Sequence, residues 1–181
     1  MKEKQWITLL GHFILLQLLW PVAVLGAVQG WRWESALVVA AMPLWSGIRR
    51  LPINRDLRMV VAGLVIGVIF EVVLLGLGLI EYRLMPGPGW VPLWILMLWA
   101  GFALNFNHCL AWLQGRWWLG AGLGAFGGPA SVLVGASLGA ASLPAGVLPL
   151  VVFYGTCWAL VVPLLGWLAR YYHQRDEGLP A

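Results

Sequence analysis

The chain has 181 residues, of which 61% are hydrophobic and only 10% are charged. A soluble domain is about half apolar and about a quarter charged, so 11 basic and 7 acidic side chains are too few to cover a water-exposed surface of this size. The composition excludes an ordinary soluble enzyme, a disordered chain and a nucleic-acid-binding domain. It predicts an all-α, polytopic membrane protein that forms one integral membrane domain over residues 1–181.

Six apolar runs follow one another along the chain, separated by short polar or turn-forming segments. Because a helix needs about 20 apolar residues to cross a bilayer, these runs predict about six transmembrane helices. The second run is short and contains Pro43, so a tilted span and a re-entrant segment both stay open. The tail from Arg170 to Ala181 is polar and is predicted to fray. The predicted spans are residues 6–26, 35–48, 59–80, 90–113, 117–140 and 147–169.

The distribution of basic residues predicts the orientation of these spans. With six spans and a cytoplasmic N-terminus, nine Lys and Arg residues lie inside, and only Arg32 and Arg83 lie outside. If the second run merely dips into the membrane, a five-span arrangement with an outside N-terminus places eight inside and three outside. The six-span arrangement therefore predicts that both termini are cytoplasmic, whereas the alternative moves the N-terminus to the other side.

The fifth run carries a repeat of small residues and an internal proline. Gly120, Gly124 and Gly128 recur every fourth residue, which places them on one helical face where another backbone can approach closely. This pattern predicts that the fifth run is the central packing helix. Pro129 removes one helical hydrogen bond, so we expect either a kink filled by a neighbour or a broken helix that lines a site.

Ionisable groups inside a membrane are costly and therefore attract attention as functional candidates. Glu71 lies about 20 Å from the cytoplasmic boundary by helical rise, whereas His108 lies close to that boundary, so no direct contact between them is expected. Glu71 fits either a packing clasp, with Gln17 or a freed carbonyl as its partner, or a catalytic acid/base or proton-relay group. His108 fits either a structural hydrogen bond or a site residue.

The fourth run adds amide side chains beside His108. Asn105 and His108 are three residues apart and share one face of a continuous helix, whereas Asn107 points away and suits packing or a subunit contact. His12 lies in the first run, and a site made of two histidines and Glu71 would suit a metal by residue type. Because the three depths disagree, no metal site and no cofactor are predicted.

Several segments together carry a family resemblance. They are Gln17 with Val24–Ala27, Glu71, the Asn107-His108 pair within Leu104–Leu110, and the Gly-Gly-Pro-Ala-Ser segment at residues 127–131. On these segments the chain resembles the bacterial inner-membrane proteins grouped as domain of unknown function 2878. The resemblance covers most of the chain and implies a multi-pass protein of the bacterial inner membrane with unassigned activity. It also implies a site role for Asn107, although helical geometry directs that side chain away from the face of Asn105 and His108.

The leading functional hypothesis is lipid or acyl-chain handling through an intramembrane polar cavity. Membrane lipids are the expected partners, and nucleic acid is not. A competing hypothesis is a non-catalytic partner of another membrane protein or a homo-oligomer, and a third is a small proton-coupled transporter, which the absence of a clear inverted repeat disfavours. Whether the protein is an enzyme stays open. The candidate catalytic residues are Glu71 and His108, and the candidate substrate-binding residues are Gln17, Asn105, Asn107, Pro129 and Ser131.

Overall fold

The computed structural model describes residues 2–178, with side chains from residue 5 onward. Lys2 and Lys4, which count in the orientation prediction, and residues 179–181 of the tail therefore lie outside the described side chains. The described chain contains six α-helices and one short two-stranded ribbon, which confirms the all-α fold class. The elements are α1 (Lys2–Gln29), α2 (Glu34–Ile48), α3 (Ile53–Gly76), β1 (Glu81–Tyr82), α4 (Leu93–Leu104), α5 (Trp117–Ser137), β2 (Ala141–Ser142) and α6 (Val147–Asp176).

Four of the helices, α1, α3, α5 and α6, are long and apolar enough to cross a membrane. Their outer surface carries large hydrophobic side chains, such as Trp118 at 92%, Phe126 at 81% and Leu148 at 73% exposure. Contiguous apolar surface of this kind is rare on soluble monomers and suits contact with lipid. Length, composition and surface together indicate a membrane protein.

The helices pack as three sequential pairs, α1 with α2, α3 with α4 and α5 with α6. The short helix α4 is the central one, because it also contacts α1 and α2 and buries Trp94, Trp99 and Leu104. The prediction that the fifth run is central is therefore wrong. The small face of α5 is used instead against α6, where Gly124 and Gly128 lie directly against the backbone and the ring of Trp158.

The fourth span was predicted over residues 90–113, but helix α4 ends at Leu104. The Asn105 side chain donates to the carbonyl of Gly101 at 2.7 Å, so it competes for a backbone acceptor of the last helical turn. The chain continues as two 3₁₀ turns, Asn105–Asn107 and Ala111–Leu113, with an irregular backbone at His108. The apolar run in the sequence conceals this break, because hydrophobic residues continue on both sides of it.

Helices α3 and α5 both end a few residues before the predicted limits of 80 and 140. Gly78 and Gly139 adopt positive φ angles of 64° and 87° just beyond the two helix ends, a conformation that glycine accepts without strain. The chain then enters the ribbon, in which Tyr82 pairs with Ala141. The α3–α4 and α5–α6 connections therefore meet at one end of the bundle.

At the opposite end, α6 stays helical to Asp176, well past the predicted limit of 169. The predicted fraying is thus wrong for residues 170–176. Asp176 accepts hydrogen bonds from Arg55 at 2.9 Å and from Arg58 at 2.6 Å, so the end of α6 is joined to the start of α3.

Helix α5 is continuous through Pro129, so the broken-helix alternative is wrong at this position. Pro129 cannot donate to the carbonyl of Ala125, which instead faces Gly155 of α6. A Cβ atom at Gly155 would lie 3.0 Å from that oxygen, so glycine leaves the carbonyl the space it needs. The interruption that lines a site is at Asn105, at the end of α4.

Candidate functional site

A buried polar cluster, which we call the Asp56 cluster (His12, Ser46, Asp56, Asn107 and His108), lies where α3 begins. Asp56 is 1% exposed. Its Oδ2 accepts the hydroxyl of Ser46 at 2.6 Å, and its Oδ1 accepts Nδ2 of Asn107 at 3.1 Å and lies 2.8 Å from Nε2 of His108. Side chains from α2 and from the turn after α4 thus converge on one carboxylate of α3.

Local sequence places the members of this cluster. Pro52 precedes the first residue of α3, where its fixed φ suits the start of a helix, and Asp56 lies in the first turn, where the helix dipole favours a negative charge. The break after α4 turns Asn107 and His108 toward the same carboxylate, which a continuous helix would not do. The break therefore lets two consecutive residues contact the same carboxylate.

Asn105 does not share a face with His108, and that prediction is wrong. Its amide nitrogen donates to Gly101, and its Oδ1 accepts the thiol of Cys109 at 3.2 Å. Asn105 is fully buried, and its hydrogen bond to the last turn helps to end α4.

The ring of His12 stacks on the ring of His108, with centroids 3.6 Å apart and an interplanar angle of 3°. Its Nε2 lies 3.3 Å from the Ser46 hydroxyl. Since Ser46 gives its own proton to Asp56, Nε2 of His12 is the donor in this contact. Nδ1 of His12 is buried and has no partner within the described residues.

His108 lines a cavity of about 310 Å³ that we call the polar cavity. Arg55, Gln114 and His173 line the same cavity, and the Arg55 guanidinium contacts His173 and Asp176. Because the Asp56 carboxylate is an acceptor, it fixes the proton of the neutral His108 ring on Nε2 and leaves Nδ1 as an acceptor. Among residues 2–178, no group of three or more His, Cys, Asp and Glu side chains could hold a metal ion.

A second buried carboxyl, Glu71, lies on α3 and is 1% exposed. Its Oε2 accepts the hydroxyl of Tyr82 at 2.7 Å, and its Oε1 accepts the indole N–H of Trp99 at 2.9 Å. Burial raises the pKa of the Tyr82 hydroxyl well above its usual range, which keeps it a neutral donor. The predicted partner, Gln17, is not used. Buried Tyr and Trp side chains need polar partners, a signal that could have found both donors.

Glu71 borders a cavity of about 410 Å³ between α1, α4, α5 and α6, which we call the apolar cavity. Its walls are mostly aromatic and aliphatic, and its polar groups include Gln17, Ser131 and Tyr154. Ser131 accepts the indole N–H of Trp20 at 2.7 Å, which joins α5 to α1 across the cavity. Apolar lining residues include Leu98, Phe102, Leu123, Trp158 and Val162.

The two carboxyls are distinct sites. Glu71 follows Asp56 by 15 residues on the same helix, which corresponds to about 22 Å along its axis. The segment between α4 and α5 lines both cavities: Leu110 and Leu113 line the apolar one, and His108 lines the polar one.

The structure divides the seven candidate residues into three groups. One group lines the apolar cavity, and another lines the polar cavity. Asn105 and Pro129 line neither. The first group is Gln17, Glu71 and Ser131; the second is Asn107 and His108. Asp56, the centre of the cluster, was missed because it lies among basic residues in what reads as a polar loop.

Comparison with known proteins gives one finding about the family. The family model described as "Protein of unknown function (DUF2878)" matches residues 9–164, which is most of the chain. No curated protein and no solved structure matches the chain.

Proposed function

We propose that this chain, which belongs to the DUF2878 family, is a bacterial inner-membrane protein that binds the acyl chain of a lipid in its apolar cavity. The observation that carries the proposal is the cavity itself. Its volume of about 410 Å³ lies within the usual range for small-molecule sites, and its wall is apolar with a few polar groups. Such a lining matches a hydrocarbon chain that ends in a polar group.

Two polar side chains at the border of the cavity are held in fixed positions. Ser131 and Glu71 border the cavity, and their hydrogen bonds to Trp20, Tyr82 and Trp99 hold both side chains in place. Preorganised polar groups in an apolar site fix the orientation of a ligand more than they add affinity. We therefore expect Glu71 and Ser131 to fix how far the acyl chain extends into the cavity.

The proposed topology has six spans and two cytoplasmic termini. Trp45, near the end of α2, donates to the carbonyl of Thr8 in α1 at 3.2 Å, and the end of α2 joins the start of α3 through Ser46 and Asp56. The start of α1 therefore lies beside the basic loop at residues 49–58. This arrangement supports the six-span model, because a dipping α2 would place the N-terminus opposite that loop.

Matched glycine substitutions on α5 test acyl-chain binding. Gly127 lines the cavity and Gly122 does not, and neither has another atom within 4 Å of an added Cβ. Gly127→Leu should fill the cavity, whereas Gly122→Leu adds the same side chain, with the same gain in helix propensity, outside it. Native mass spectrometry of the purified protein measures the bound lipid.

We expect wild type and Gly122→Leu to retain a bound fatty acid or phospholipid, and Gly127→Leu to lose it. Equal occupancy in all three proteins would show that lipid binds elsewhere. An empty wild-type protein, in a detergent mild enough to keep annular lipids, would contradict the proposal and favour the non-catalytic membrane partner.

A further inference from the structure

The polar cavity is a second site that acyl-chain binding leaves unexplained. We propose that His108 is a general base which takes the proton of a hydroxyl group, from water or an alcohol, as that group attacks an acyl ester. Asp56 is the positioning residue. The inference rests on the proposed function, because the ester would carry the acyl chain held in the apolar cavity.

Geometry assigns these two roles. Asp56 is fully enclosed and receives donors from Ser46, Asn107 and His108, so its carboxylate is fixed in position. The imidazole is then held with its N–H on Asp56 and its second nitrogen directed away from the carboxylate. Nδ1 of His108 makes no hydrogen bond within the described residues, and the residue borders the polar cavity. A base held by a third group, with a free acceptor beside a cavity, is the arrangement that general-base catalysis requires.

The groups around His108 suit a general base. Once protonated, the ring keeps its Nε2–H on the Asp56 carboxylate, which stabilises the cation. Arg55 lies in the wall of the same cavity and supplies a positive charge near the oxygen where negative charge would develop. His12 lies flat against His108 and restricts its rotation.

The reaction balances as an acyl transfer. The hydroxyl oxygen forms a bond to the acyl carbon while its proton passes to Nδ1 of His108. The bond from the acyl carbon to the ester oxygen then breaks, and the leaving alkoxide takes the proton back from His108. Water as the nucleophile gives a carboxylic acid and an alcohol, whereas an alcohol as the nucleophile gives a new ester.

One segment supplies lining residues to both cavities, and it joins this chemistry to the bound chain. The segment after α4 presents Leu110 and Leu113 to the apolar cavity, while His108, only a few residues away, borders the polar cavity. A chain lying against those leucines would end close to the base. We therefore expect long-chain esters to be better substrates than short-chain esters.

Spectroscopy tests the positioned base without any substrate. The chain has three histidines, so nitrogen-15 labelling of histidine in full-length protein gives three ring systems, assigned with His12→Gln and His173→Gln. At alkaline pH we expect His108 to be one neutral tautomer with its proton on Nε2, and we expect Asp56→Asn to give a mixture. A proton on Nδ1, or a mixture already in the wild type, would overturn the assignment.

Ester cleavage tests the reaction. Purified protein in lipid nanodiscs is given para-nitrophenyl butyrate or laurate, and nitrophenolate release is followed with and without glycerol as the alcohol. His108→Gln should lower the rate by about 10²–10⁴-fold, the usual contribution of a general base. Asn54→Ala, an exposed change in the first turn of α3, is the matched control and should keep the wild-type rate.

The products identify the nucleophile, because water gives laurate and glycerol gives a laurate ester. Equal rates for wild type and His108→Gln, or no cleavage by wild type, would overturn the general-base role. Lipid binding is measured separately with Gly127→Leu. A protein that binds lipid but cleaves no ester therefore refutes only this inference, whereas an empty apolar cavity refutes the proposed function.

Discussion

Removing the Asp56 carboxylate should lower the free energy of unfolding more than any other single change of a polar side chain. Asp56→Ala leaves the buried hydroxyl of Ser46 and the partly buried amide of Asn107 and imidazole of His108 without their common acceptor. Hydrogen bonds to charged groups contribute about 1.5–3 kcal/mol each, and a buried polar group left without a partner costs about 1–3 kcal/mol. Because the three bonds share one acceptor and are not additive, we expect a loss of about 3–5 kcal/mol.

The loss can be measured by titrating the purified protein from mild detergent into SDS and following tryptophan fluorescence, since the chain has 13 tryptophans. Asp56→Asn keeps one carbonyl acceptor and should lose less free energy of unfolding than Asp56→Ala. Asn54→Ala, two residues away and exposed, should match the wild type. The role of Asp56 as the shared acceptor is refuted if the free energy of unfolding of Asp56→Ala lies within about 1 kcal/mol of the wild-type value, which is the size of a typical single-substitution effect.

Three other predictions concern the bundle as a whole. Tyr82→Phe removes a donor from Glu71 and should destabilise the protein by about 1–3 kcal/mol in the same SDS titration. The loss should be smaller in a Glu71→Gln background, and equal losses in both backgrounds would exclude a coupling between the two side chains. Gly124→Ala places a Cβ against the backbone carbonyl of Trp158, so α5 and α6 must separate and the SDS midpoint should fall, whereas an unchanged midpoint would contradict the close packing. A reporter fused to the N-terminus should be active only in its cytoplasmic form, and an external signal would support the five-span arrangement.

The fold was predictable where apolar runs are long and uninterrupted. The runs that became α1, α3, α5 and α6 reveal membrane helices through composition alone. The break after Leu104 was not predictable from hydropathy, because apolar residues continue through it. It depends on the Asn105 side chain, which takes an acceptor from the preceding turn.

The candidate site was predictable only in part, because its two carboxyls sit in different sequence surroundings. Glu71 interrupts an apolar run and is conspicuous for that reason. Its partner Tyr82 is brought close by the pairing of β1 with β2, a contact between distant residues that no local pattern reports. Asp56 lies in a basic loop that reads as solvated, and its burial depends on donors that lie up to 52 residues away.

Photo-crosslinking is the most direct test of whether an acyl chain occupies the apolar cavity. A fatty acid carrying a diazirine along its chain is bound to the purified protein, irradiated and mapped by mass spectrometry of peptides. We expect labels on inward-facing residues of α4 and α6 such as Phe102 and Trp158, and loss of these labels in Gly127→Leu but not in Gly122→Leu. Labels confined to outward-facing residues such as Phe126 and Leu160, unchanged in Gly127→Leu, would contradict it.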